Sequence, residues 1–148
     1  MLTNQRSIII FVLILLFCSL LSLKAQNVEV IFKGIRSTKG KIVLAIFIDN
    51  ESFRKEEPYI RKVFDKNEVL NGEMIVKFNL DPGIYGFSLL DDENNDKLMN
   101  YNFIGKPLEG FGFSNYYHSG FTRPHFDVFK FELKENQNQK IIMKIKYM

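Results

Sequence analysis

MIVKFNLDPGIYGFSLL, residues 74–90, decides the fold. Met74, Val76, Phe78 and Leu80 alternate with Lys77 and Asn79, the period-two pattern of a strand with one buried face. Asp81-Pro82-Gly83 then turns the chain, since proline presets φ and glycine tolerates positive φ. Tyr85, Phe87 and Leu89 resume the alternation. Strands joined by about three turn residues usually pair antiparallel, so a β-hairpin is expected here.

The same reading extends in both directions. Val28, Val30 and Phe32 alternate as an early strand, and Lys39-Gly40 turns the chain into Lys41–Ile48. That run is apolar on both faces, as a central strand must be. From Asp49 to Asn71 charges crowd in and Pro58 interrupts. Only Ile60, Val63 and Phe64 keep a helical spacing, so a long surface connection with at most two helical turns is expected. Phe126–Leu133 and Lys140–Tyr147 read as further strands, linked by the polar hairpin turn Glu135–Gln139. Six strands, with a seventh in the loop region, describe an all-β chain: an antiparallel β-sandwich, Ig-like or transthyretin-like, with long loops at one end.

The first 25 residues stand apart: Arg6, an apolar run from Ile8 to Leu23, and a small residue at Ala25 read as a cleaved secretory leader, with a retained membrane anchor as the runner-up. A single β-sandwich domain over 26–148 is the expectation, with no membrane span once the leader is cleaved. Removing Arg6 and Lys24 from 20 basic residues leaves 18 against 17 acidic ones. That balance argues against nucleic acid as a partner. The single cysteine, Cys18, falls in the leader, so the exported chain holds no disulfide. A periplasmic or extracellular location follows.

Beyond Leu90 the chain turns oxygen-rich. Asp92, Asn94 and Asp96, with Asn100, offer side-chain oxygens at the alternating spacing of a calcium loop, although the sixth position is Lys97 rather than glycine and the twelfth is Phe103 rather than glutamate. The bland reading is that Asp and Asn cap turns through their own backbone. Phe103–Phe126 is rich in aromatics separated by Gly105, Gly110, Gly112 and Gly120. Glu109, Ser114, Asn115, Tyr116, Tyr117 and Phe121 are its candidate ligand-binding residues. Against that stands the reading in which the aromatics fold back as a small core of their own.

The run GIYGFSLLDDENNDKLMNYNFIGKPLEGFGFSN resembles a family of uncharacterised exported bacterial proteins, a domain of unknown function. Its members read G-x-Y, then H-D-x-N-x-N-G-x-x-D, then a glycine and proline pair, E-G and G-F-S-N. Gly105, Pro107, Glu109, Gly110, Gly112, Phe113, Ser114 and Asn115 fall on the pattern. Asp91, Asp96, Lys97 and Asn100 depart from it in the acidic loop. The turn and strand at Leu80–Tyr85 are also similar to transthyretin-like and carboxypeptidase-regulatory sandwiches, which implies fold rather than activity.

A non-catalytic binding or accessory module of the envelope is therefore expected, contacting an envelope protein or glycan through loops 91–124. The alternative is a small hydrolase using Glu109 or the Ser114 and His118 pair. No G-x-S-x-G surrounds Ser114, and two histidines without cysteine make no zinc motif, so an enzyme is the weaker reading.

Overall fold

The computed structural model describes residues 27–120 and 122–148; the leader read over 1–25 and the candidate Phe121 lie outside the described residues. Among these described residues, eight strands form two sheets. One has the order β4 (Glu73–Phe78), β1 (Val28–Lys33), β8 (Gln139–Lys144). The other has the order β3 (Ile60–Asp65), β2 (Lys41–Phe47), β5 (Gly83–Asp92), β6 (Gly110–Phe113), with β7 (Lys130–Leu133) also on β5. The expected all-β sandwich is present, with β6 as the seventh strand expected in the loop region and β3 as one strand more. One pair, β1 with β8, is parallel, and the others are antiparallel.

Neither expected hairpin is formed: β7 lies on β5 and β8 on β1, so the chain changes sheets between them, and Phe126–Val128 is a 3-10 turn ahead of β7. β4 pairs with β1 and β5 pairs with β2, so Asp81-Pro82-Gly83 carries the chain from one sheet to the other. Both strands do turn their apolar faces inward, but toward each other across the sandwich, where the Phe78 and Phe87 rings meet with centroids 6.1 Å apart. The 49–71 connection is also corrected. A short helix, α1 (Asn50–Lys55), is capped by Asp49, whose Oδ1 accepts the Ser52 N–H at 2.7 Å, but Ile60–Asp65 is strand β3. Its Ile60 and Phe64 pack on the core while Val63 is exposed.

The core holds Ile42, Leu44 and Ile46 of β2, Tyr85, Phe87 and Leu89 of β5, and Val28, Val30, Phe32, Ile141 and Met143 of the opposite sheet. The alternate residues of β2 and β6 support a second, aromatic cluster on the outer face of the larger sheet. There Phe47, Phe53, Phe113, Phe126 and Phe129 pack together, with Tyr116 partly buried against them. The long loops thus build a core of their own, over a sheet face rather than over an open end.

β5 shares one edge between two partners: its first half pairs with β7 and its second half with β6. Ser114 closes the seam. Its buried hydroxyl donates to the Phe129 carbonyl at 2.6 Å and accepts the Phe87 N–H at 2.9 Å. Beyond β8 the chain crosses between sheets, with Phe111 and Lys146 exchanging backbone hydrogen bonds at 3.0 and 2.8 Å.

Candidate functional site

Residues on β5 alternate between the faces, so its last two acids part ways. Asp91 points inward and is fully buried. It pairs with the buried Lys66 ammonium and accepts a short hydrogen bond from the Tyr147 hydroxyl. Lys66 also donates to the Lys39 carbonyl at 2.6 Å. Burial and this carboxylate together hold the Tyr147 phenol protonated well above the usual range. Arg36 stacks over the Tyr147 ring at 4.2 Å and pairs with Glu93 through two hydrogen bonds.

Asp92 faces the other way and roots the acidic loop. Its carboxylate accepts the Asp96 N–H at 3.2 Å and the Lys97 N–H at 3.0 Å, and Asn95 and Lys97 take left-handed φ values of 64° and 63°. Lys97 thus makes the positive-φ bend that glycine makes in a calcium loop. Asp96 accepts the Leu98 N–H at 2.8 Å and the side-chain amides of Asn94 and Asn100 at 3.1 and 2.9 Å. The Leu98 N–H and the Asn100 amide keep its carboxyl below the ordinary value.

Glu109 joins this group from another element. The register Asp91↔Gly110, continued by one residue, sets Glu109 across from Asp92. One carboxylate oxygen from each of Asp92, Asp96 and Glu109 lies within 4.8 Å of the others. Glu109 is only 5% exposed; its Oε2 accepts the Asn100 N–H at 3.3 Å, and its buried Oε1 accepts no hydrogen bond of normal geometry. Burial pushes its carboxyl up, Asp92 and Asp96 add to that, and the nearby Asn100 and Glu93 amides offset part of it.

The remaining candidates divide between frame and surface. Asn115 clamps β8, its N–H donating to the Ile142 carbonyl at 2.8 Å and its side-chain oxygen accepting the Ile142 N–H at 2.9 Å. A Cβ on Gly110 would come within 2.4 Å of the Tyr147 ring, so close packing demands that glycine. In the run EGFGFSN, then, Gly110, Ser114 and Asn115 hold the sheets together while Glu109 reaches the acidic loop. Tyr117 is exposed beneath the Lys144 ammonium. His118 Nε2 lies 2.5 Å from the Thr122 carbonyl, and no hydrogen bond joins its ring to Ser114. Ser114 and His118 are therefore not assembled as a nucleophile and base.

A groove of about 340 Å³, unforeseen in the sequence, runs over the outer face of the larger sheet. Val43, Ala45, Leu90 and Phe111 are among its lining, which residues of the 97–107 segment together with His118, Gly120 and Thr122 complete. Arg61 and Lys97 also line it, and neither forms an ion pair among the described residues. The only sequence signal was the two-faced apolarity of β2. Next to the groove, the 98–108 loop projects Phe103, 98% exposed, and Ile104, 70% exposed.

Fold and site define a β-sandwich module with an apolar groove beside a carboxylate cluster. Residues 30–142 match the model of the family described as uncharacterized protein conserved in bacteria (DUF2141), and the chain belongs to that family. No curated protein and no solved structure matches it. Among the described residues, no helix is long and apolar enough to cross a membrane.

Proposed function

We propose that the protein is a non-catalytic binding module exported to the bacterial cell envelope, periplasmic or extracellular, which takes an amphipathic ligand with an apolar body and an anionic group. The groove carries this reading. Its volume of about 340 Å³ lies at the lower end of the range for small-molecule sites, and its floor is apolar. Arg61 and Lys97, without acidic partners among the described residues, supply positive charge for the anionic group. The leader over 1–25 and the similarity of Leu80–Tyr85 to transthyretin-like and carboxypeptidase-regulatory sandwiches are in keeping with an exported accessory module.

A dansylated medium-chain carboxylate tests it. Saturable emission enhancement at one probe per chain is expected, weakened by Arg61→Ala and abolished by Ala45→Trp, which fills the floor. Absence of binding, or binding indifferent to Ala45→Trp, would overturn the reading. A second reading, in which the loop docks on an envelope protein, is favoured by the exposed Phe103 and Ile104. A photocrosslinker at position 103 that labels no protein in intact cells would remove it. A glycan platform has less support, because Tyr116 is packed into the aromatic cluster.

A further inference from the structure

We propose that Asp92, Asp96 and Glu109 form a calcium site, completed by the side-chain oxygens of Asn94 and Asn100. The proposal does not rest on what the groove takes. The site is built from two separate elements, because Asp92 and Asp96 belong to the acidic loop whereas Glu109 arrives on the chain entering β6.

Glu109 is the observation that points to a ligand. It is 5% exposed, its Oε1 accepts no hydrogen bond of normal geometry among the described residues, and it opposes Asp92 across the strands. Two like charges directly opposite destabilise a sheet unless something positive lies between them. No lysine or arginine forms an ion pair with any of the three acids among the described residues. The amide groups of Asn94 and Asn100 turn their hydrogens to Asp96 while their oxygens accept the Asp96 N–H and the Asn94 amide, so each would exchange these bonds for the ion on binding it.

The chemistry selects the ion. All the donors are oxygens, with neither histidine nor cysteine among them, which suits a hard cation. The carboxylate oxygens lie within 4.8 Å of one another, and opposed calcium ligands stand about 5 Å apart. Magnesium demands a tighter octahedron and keeps its waters, so a site made largely of protein oxygens favours calcium.

Equilibrium dialysis of chelator-treated protein against radioactive calcium, with thermal melts alongside, tests the assignment. Near one ion per chain is expected, with the melting temperature rising by about 10 °C at a free concentration 100 times the dissociation constant. Magnesium at the same concentration should give less than half that shift. Glu109→Gln should weaken calcium binding at least tenfold while leaving the melt in chelator unchanged or raised. Asp96→Asn, at an exposed position, should weaken calcium binding likewise without threatening the fold. No calcium bound at 5 mM, equal responses to magnesium, or undiminished binding in both variants would overturn the site.

Discussion

The Lys66 and Asp91 pair offers the sharpest test of how the loop end is held. Lys66 is 2% exposed and Asp91 fully buried, so each charge has exchanged water for the other, for the Lys39 carbonyl and for the Tyr147 hydroxyl. Lys66→Met keeps most of the side-chain volume but strands a buried carboxylate. Breaking such a pair from one side costs about 3–5 kcal/mol, whereas replacing both members by apolar groups is often close to neutral. Lys66→Met and Asp91→Leu should therefore each destabilise by about 3–5 kcal/mol, while the double variant falls within about 1–2 kcal/mol of the parent. Urea unfolding of all four proteins measures the coupling. A loss below about 1 kcal/mol for Lys66→Met, or a double variant whose loss equals the sum of the singles, would refute the argument.

Three further outcomes are expected. Phe87→Ala should cost about 3–5 kcal/mol in a urea melt, because the ring is fully buried between Phe78 and Phe131; an unchanged midpoint would contradict the sandwich core. Lys97→Gly should stabilise by about 0.5–1 kcal/mol, since the left-handed φ of 63° strains a lysine and suits glycine; a lower melting temperature would count against that bend. Asp49→Ala should lower the melting temperature at neutral pH by uncapping α1. The Ser52 N–H holds the Asp49 carboxyl below its ordinary value, so the cap stabilises above the usual carboxylate range and is lost as pH falls through the depressed value. The gap between variant and parent should accordingly close near pH 2, at roughly the foot of carboxylate titration.

Strand identity was legible wherever alternation met a clean turn, as at Met74–Leu80, because a half-buried strand needs only its own side chains to declare itself. Pairing was not. Asp81-Pro82-Gly83 specifies that the chain bends, but whether the flanking strands hydrogen-bond or face each other depends on β1 and β2, which claim their edges from far away in sequence. β3 was missed because Ile60, Val63 and Phe64 satisfy a helical period while the residues that reach the core are Ile60 and Phe64, four apart and equally compatible with a strand. In the site, the spacing of Asp92, Asn94 and Asp96 was visible at once. Glu109 was legible only as a ligand candidate, since its place opposite Asp92 follows from the β5 and β6 register, and β6 is four residues of glycine and phenylalanine with little pattern to read.

The parallel pairing of β1 with β8 bears on when the chain can fold. Val28 finds its partner in Gln139, and Ile141 and Met143 contribute two of the fully buried side chains. As the chain leaves the ribosome, β1 emerges early and waits, with one edge open, until nearly all the intervening sequence has been made. The antiparallel pairs of the larger sheet form over shorter separations, but the smaller sheet cannot close before β8 arrives. A nascent chain stopped at Asn138 should therefore lack the protease resistance of the finished one. Late closure of this kind leaves the β1 and β4 pair with an open edge until synthesis is nearly complete.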